Sequence, residues 1–347
     1  TTAFDNTAVG HQAMYFNTTG AGNVAMGRDA LLNNTTATGN IAVGCGALAN
    51  NTTGASNSAV GHLALENNTT GLCNIAMGYY AMSANTTGRF NVGLGSTALS
   101  GNTSADSNVA IGDRALLGNS TGPNNTAAGR YALCANTTGT HNAALGYSAS
   151  SSVTTGTDNT ALGRSAGYNI TTGSCNIAIG SSAAVDAGGS SSVITMGNQV
   201  TGIANAITFG QGNTDSRIAF GATSITAPSD QRLKEDIQND TAGLNFINDL
   251  RPVTYRWRKE KDIPEEMRTH VAGSEKRYNN DKVNHGFIAQ EVKEAIDNHP
   301  ELKNGFDMWQ EENTLDGRQR LAEGALIPML VKAIQELKAR IETLENK

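Results

Sequence analysis

The motif Asn-x-Ala-x-Gly returns every seventeen residues across half the chain, at Asn6, Asn23, Asn40, Asn57, Asn74 and Asn91 and then at Asn108, Asn125, Asn142, Asn159 and Asn176. Eleven copies without a slip in spacing specify a repeat architecture, in which units bury a core only by stacking on one another. The full unit reads N-x-A-x-G-x-x-A-L-x-x-N-T-T-G-x-x, a short strand followed by a turn. Its second half is clearest at Asn17 to Gly20, Asn51 to Gly54, Asn68 to Gly71, Asn85 to Gly88 and Asn136 to Gly139.

Alternation identifies the strand: Asn40, Ala42 and Gly44 share one face, and Ile41 and Val43 share the other. The positions one and three after the Asn hold pairs such as Val24 and Met26, Ile75 and Met77, and Ile177 and Ile179. These are large enough to fill a narrow interior, so they are expected inside, with the Ala and Gly face packing against copies of the same chain. A second aliphatic position, at Leu31, Leu48, Leu65, Leu99, Leu116 and Leu133, points a second edge of each coil inward. Asn-Thr-Thr-Gly supplies corner chemistry, since Gly accepts positive φ and Asn or Thr hydrogen-bonds the local backbone. Stacked corners also let the Asn side chains form a ladder. At about 4.8 Å per rung, eleven repeats make a rod roughly 50 Å long. Residues 1–180 resemble the β-roll heads of trimeric bacterial adhesins and the shafts of phage tail fibres, although those heads use a different repeat length.

Composition divides the chain again near Ser229. Residues 1–228 carry six Arg, no Lys and eight acids, whereas residues 229–347 carry 42 charged side chains and both tryptophans. The net charge of −6 divides as −2 and −4, leaving no basic footprint for nucleic acid. No apolar run reaches the roughly 18 residues needed to cross a bilayer, and no signal peptide is visible at Thr1. A fragment, or a chain released by lysis, is therefore expected. Cys73 and Cys175 share one repeat phase but lie six rungs apart, roughly 29 Å, too far for a disulfide. All four cysteines are expected to be small buried hydrophobes. The Asn-x-Thr sequons in the corners are explained by turn chemistry without sugar. Between Ala184 and Pro228 the rhythm breaks down into strand-like segments of unequal spacing, around Val193 to Gly197, Ala206 to Gly210 and Arg217 to Gly221, expected to form a neck.

The charged region opens with Ser229-Asp230-Gln231-Arg232-Leu233-Lys234, which reads as a capped helix start. A desolvated lysine can take a proton from a serine hydroxyl. On one helix, however, Ser229 and Lys234 would point roughly 140° apart, so they can pair only if Ser229 precedes the helix and the chain bends back. Further on stand Leu250-Arg251-Pro252-Val253-Thr254-Tyr255-Arg256-Trp257 and His285-Gly286-Phe287-Ile288-Ala289-Gln290-Glu291-Val292, and then a terminal helix. In this order the motifs resemble the intramolecular chaperone domain of phage tailspikes and tail fibres, of which endosialidase tailspikes are familiar members.

The resemblance implies a C-terminal domain that trimerises, assists folding of the β-structured stalk and then cuts itself off. It implies cleavage between Pro228 and Ser229, with Ser229 as nucleophile and Lys234 as its base. Asp230, Arg232, His285, Gln290 and Glu291 are the motif residues expected to support the site, although His285 by itself reads first as a solvated surface side chain. Pro228 on the acyl side, with its fixed φ, restricts approach to the scissile carbonyl and so bears on the rate. No cofactor is implied, and the six His form no metal-ligand spacing with the Cys.

Ile327, Leu330, Ile334, Leu337, Ile341 and Leu344 follow coiled-coil spacing within residues 323–347. That seam alone favours dimers, but the larger domain, through its resemblance, implies a trimer. Residues 258–284 read either as an arm reaching along the neck or as a solvated loop. The expected fold is thus a mainly β homotrimeric repeat rod (1–183), a β neck (184–228) and an α-rich α+β chaperone domain (229–347).

A C-terminal trimeriser aligns chains whose non-local β-pairing is slow and aggregation-prone, and its removal leaves a kinetically trapped product. The expected protein is a virion tail fibre or spike that meets a host cell-surface receptor, glycan or protein, and other virion tail proteins. The alternatives are a bacterial trimeric surface adhesin with the same tail, or a fibre that keeps its chaperone domain uncleaved. The rod's scattered acids are not paired as a glycosidase requires.

Overall fold

In the computed structural model the chain forms two compact units, Thr1–Asp230 and Gln231–Lys347. The residues described are 3–212, 214–221, 225, 231, 234–267, 269–302, 306, 308–311 and 319–346. The first unit is a β-solenoid. Each repeat contributes one three-residue strand, from Thr7–Val9 through Ile177–Ile179, and each pairs in parallel with the strand one coil away. The register is a clean seventeen: Ile41 lies against Ser58, Ala42 against Ala59 and Val43 against Val60. The result is a fourteen-stranded sheet in which only the last pairing is antiparallel.

The strand faces are the reverse of the expectation from side-chain size. Ala25, Ala42, Ala59, Ala76, Ala110 and Ala127 are completely buried, and the motif Asn residues beside them are buried as well. The larger residues point outward, with Met26 45%, Ile41 43%, Met77 47% and Leu145 54% exposed. Ala and Gly therefore do not form a surface for packing against copies. The reason is the bore of the coil: Leu31, Leu48, Leu65, Leu99, Leu116 and Leu133 enter from the other side and are themselves fully buried, leaving room only for methyl groups opposite them.

Two asparagine ladders stabilise this interior. The Asn40 backbone N–H donates to Asn23 Oδ1 at 2.9 Å, and its side-chain amide donates to the Gly54 carbonyl at 2.9 Å. In the corner ladder the Asn51 amide donates to Asn34 Oδ1 at 3.1 Å and to the same Gly54 carbonyl at 2.9 Å. The glycine that closes Asn-Thr-Thr-Gly is thus held by both ladders. The corner ladder ends at Asn136, whose Oδ1 is left without a partner because the next coils place buried Val153 and Ile170 at this position. An unmade bond to a buried amide costs about 1–3 kcal/mol, so each rung matters. Asn34, Asn51, Asn68, Asn85, Asn102 and Asn136 are fully buried, which removes these sequons from any glycosylating enzyme once the rod has folded.

The coil turns sharply by placing non-glycine residues in the left-handed region, including Leu31 at φ 51° and Leu65 at 53°. Each such residue costs about 1–2 kcal/mol. Burying a leucine side chain returns about 2 kcal/mol, and the Leu31 N–H also donates to the Ala47 carbonyl at 3.0 Å. The strand-ending glycine is more constrained: a Cβ on Gly44 would lie 2.4 Å from the Gly61 carbonyl oxygen. Of the cysteines, Cys73 and Cys175 are exposed and Cys45 and Cys134 partly so, contrary to the expectation of burial.

The expected neck is, as far as Ala219, a continuation of the same sheet. Val193–Asn198 keeps the seventeen-residue step, with Ile177 against Ile194. Ala206–Gln211 follows in parallel after a shorter return, and Thr214–Ala219 folds back antiparallel on it.

The second unit packs helix α1 (Leu244–Asp249), helix α2 (Ala289–Asp297) and helix α3 (Leu326–Glu345) around Phe246, Val292, Ile296, Leu302, Met308 and Met329. The expected helix start at Ser229 lies outside the described residues apart from Gln231. Residues 234–243 have no regular helix and are mostly exposed, since the run Lys234-Glu235-Asp236 offers no apolar face. Helix α1 begins at Leu244, just after Gly243, and Glu336 from α3 accepts the Leu244 N–H at 2.9 Å. Within residues 258–284 the chain folds back on itself: Lys259 bridges to Arg277, and Lys259 and Lys261 both clasp Glu275. Those two hydrogen-bonded ammonium groups hold the Glu275 carboxyl down to about 2.

Candidate functional site

Pro228, Ser229, Asp230 and Arg232 lie outside the described residues. Lys234 is described; it is exposed, and its backbone N–H donates to the Gln231 carbonyl at 3.0 Å.

The second and third motifs, about thirty residues apart in sequence, meet in one small sheet. Val253–Tyr255 pairs antiparallel with Asn284–Gly286, which sets Thr254 against His285. Together with Phe287 and Glu323 they line an open groove of about 490 Å³, whose wall includes Pro252, Val253, Thr254, His285 and Gly286. His285 is exposed on this wall. Gln290 is exposed in the first turn of α2, and Glu291 beside it carries the main structural contact of the pair of motifs. Arg251 grips Glu291 with two nitrogens, its Nε at 3.0 Å from Oε2 and its Nη2 on Oε1. The hydrogen bonds from Arg251 hold the Glu291 carboxyl below the usual carboxylate range, and Glu291 in turn raises the guanidinium. A carboxylate in the first turn also suits the positive end of the helix dipole. Glu291 and Arg251 are therefore positioning residues that tie one motif to the other.

Two residues the sequence reading passed over belong to this unit's framework. Glu323, in the turn before α3, closes the groove. His299, just past the end of α2, donates from Nε2 to Asp249 at 2.8 Å and from Nδ1 to Glu301 at 2.9 Å, with its ring edge-on to Phe246 at 5.3 Å. Both ring nitrogens face carboxylates, so the doubly protonated ring is favoured and its pKa is raised, mainly by the Asp249 hydrogen bond. A spacing rule cannot find His299, because Asp249 lies fifty residues earlier.

Helix α3 has two apolar faces. Leu326, Met329 and Ala333 are buried in the core of the unit. The seam residues stay in solvent, with Ile334 64% and Leu344 69% exposed. Along the rod, a corner edge exposes aromatic and charged side chains: His62 stacks on Tyr79 at 5.5 Å, and Tyr131 lies between Arg114 and Arg130, at 5.4 and 4.7 Å.

Residues 229–300 match the family model described as chaperone of endosialidase. The match begins at Ser229 and includes the second and third motifs. No curated protein and no solved structure matches the chain. The chain therefore joins a β-solenoid rod to a C-terminal segment with the signature of the chaperone of endosialidase.

Proposed function

We propose that this protein is a homotrimeric virion tail fibre or spike whose C-terminal unit aligns three chains, assists their folding and then cuts itself from the rod. The observation that carries the reading is the union in one chain of a stacked-repeat rod with a chaperone-type segment that begins at Ser229. The unpartnered seam of α3 supports association of copies, because an apolar helix stripe left in water is costly. The exposed corner edge around His62, Tyr79, Arg114, Arg130 and Tyr131 supports presentation of the rod to a host surface receptor, glycan or protein.

In the cleavage, Ser229 Oγ attacks the Pro228 carbonyl carbon while the Lys234 amine takes the hydroxyl proton. The Pro228–Ser229 C–N bond breaks as the amide nitrogen takes up a proton, giving an ester between the Pro228 acyl group and Oγ. Water then hydrolyses the ester to a Pro228 carboxylate and a free Ser229. His285, Gln290 and Glu291 support the fold around the groove and take no part in covalent steps. Asp230 and Arg232 complete the motif around the nucleophile.

Intact mass measurement of freshly purified protein tests this directly. The expected result is a fragment beginning at Ser229 in the wild-type sample, absent from Ser229→Ala and from Lys234→Ala. Full-length chains in all three samples after prolonged incubation would refute self-cleavage.

A further inference from the structure

The turn after each strand of the rod brings two consecutive residues to one edge of the coil, the second of them in the left-handed region, as at Arg114 (φ 58°) and Tyr131 (φ 61°). Because the register is a constant seventeen, side chains of successive coils line up along this edge at about 4.8 Å per rung. Arg28, Arg114, Arg130 and Arg164 stand on it, four of the five arginines of residues 1–183, Arg89 being the fifth. Of the six acids in the same residues (Asp5, Asp29, Glu66, Asp106, Asp113 and Asp158) only Asp29 and Asp113 do. The edge therefore carries a surplus of two positive charges on a repeat region whose five arginines and six acids sum to −1.

Both acids of the edge are already engaged, Asp29 by Arg28 at 3.3 Å and Asp113 by Arg130 at 3.1 Å. The surplus thus falls on Arg114 and Arg164. Arg114 donates from Nη1 to the Tyr131 hydroxyl at 2.8 Å, and Arg164 from Nη2 to Ser181 Oγ at 3.2 Å. Both are exposed, and among the described residues neither meets a carboxylate. A guanidinium has five N–H donors in a planar fork that matches a carboxylate, so each of these two is oriented by a neutral hydroxyl with donors to spare. The rungs between them are aromatic. Tyr131 takes Arg114 and Arg130 at 5.4 and 4.7 Å from its ring centre, and Tyr147, one rung further and 50% exposed, stands edge-on to it at 6.3 Å. The order along the edge is cation, two aromatic rings, cation, with Arg164 three rungs or roughly 14 Å beyond Arg114.

We propose that the edge from Arg114 to Arg164 binds a linear glycan in which carboxylate-bearing sugars are separated by neutral ones, the carboxylates taken by Arg114 and Arg164 and the neutral rings packed on Tyr131 and Tyr147. The proposal rests on the receptor role given above and names the receptor's chemistry and the side chains that meet it. A pyranose presents a flat face of C–H groups that suits an aromatic ring, and its extended chain runs along the rod with a sugar comparable in length to one rung. A nucleic acid strand fits less well, because a phosphate about every 3.4 Å would set four charges against two cations over the same length. An acidic peptide finds no main chain to pair with: the Arg114 N–H is bonded to the Ser96 carbonyl and the Tyr131 N–H to the Asp113 carbonyl, each at 3.0 Å.

The test is calorimetric titration of the full chain with hyaluronate oligosaccharides, in which glucuronate alternates with a neutral amino sugar, and with the same oligosaccharides after reduction of their carboxyls to alcohols. The acidic form should bind, and its affinity should fall at least about tenfold on carboxyl reduction and by a similar factor in Arg114→Gln with Arg164→Gln. Tyr147→Ala should weaken both forms alike, because packing on the ring does not depend on the carboxylate. Arg89→Gln, on another edge and paired with Asp106 at 2.8 Å, should leave binding unchanged. All these side chains are exposed, so the circular dichroism of the rod should be the same in every variant. Equal binding of the two forms, an equal loss in Arg89→Gln, or binding of neither form would overturn the site. A single-stranded oligonucleotide bound as tightly as hyaluronate would overturn the assignment to a glycan. Sedimentation of the same samples keeps the two readings apart. An assembly of three times 36.1 kDa that binds neither form removes the site and leaves the fibre standing, whereas a mass of 36.1 kDa contradicts the homotrimer while the titration still decides the site.

Discussion

Gly93 is the one strand centre in the eleven repeats that lacks the alanine methyl, and Met82 stands where the neighbouring coils carry Leu65 and Leu99. The two departures compensate: a Cβ on Gly93 would fall 2.8 Å from Met82 Cγ and 3.1 Å from Sδ, so the longer side chain fills the space of the missing methyl. Gly93→Ala alone should therefore cost about 1–3 kcal/mol by overpacking, and adding Met82→Leu should recover most of it. Chemical denaturation of the two single variants and the double variant measures this coupling, and strict additivity would contradict it. A harsher result is expected at Gly61, whose Cβ would lie 2.4 Å from the Gly78 carbonyl oxygen. Gly61→Ala should destabilise by several kcal/mol, because both contacting groups are backbone. Gly22 has φ +64° with open space around it, so Gly22→Ala should cost only about 1 kcal/mol, the conformational term by itself. Ser107, exposed at φ 60°, is the converse case: Ser107→Gly should raise stability by about the same amount.

At the scale of elements, His299 gives the C-terminal unit a definite pH dependence. Its pKa is raised above the ordinary 6.5, mainly through Asp249, so its contribution is fully present below that value and is lost as pH rises through the folded-state pKa. Thermal unfolding of this unit should move to lower temperature between about pH 6 and pH 8, and Asp249→Asn should flatten the trend. A trend unchanged in Asp249→Asn would remove His299 as its source. The helix junction makes a separate prediction: Glu336→Ala strips the acceptor from the Leu244 N–H and should cost about 1 kcal/mol, as loss of a cap does. The strands and their register were legible in the sequence because a period of seventeen leaves no other pairing. Their facing was not, because both sides of a three-residue strand are apolar and larger side chains are ordinarily the buried ones. A signal was nevertheless there. Thr7, Ser58, Thr126 and Thr160 are polar at the first outward position, whereas the central position is always Ala or Gly. A position that accepts hydroxyls faces water or a partner, and one that accepts only methyl or hydrogen faces a tight core. The groove formed by the second and third motifs was visible only as two separated runs, since the pairing of Thr254 with His285 is non-local.

For the whole molecule the function proposed above divides the work of assembly between the two units. The rod's ladders are repetitive, so a chain that pairs one coil out of register loses little until the end, and three chains searching together would be slow and exposed to aggregation. A C-terminal unit that joins first fixes the common register and raises the effective concentration of the rods. Once the coils have stacked, each held by buried amides and carbonyls, the proposed removal of the helper would leave the rod's unfolding barrier in place and make assembly one-way. This account is tested most directly by sedimentation after dilution from guanidinium, comparing the full chain carrying Ser229→Ala with a chain ending at Pro228. It predicts that the full chain returns as an assembly of three times 36.1 kDa while the shortened chain aggregates or stays unassembled. Equal recovery of assembled rod from both would contradict it.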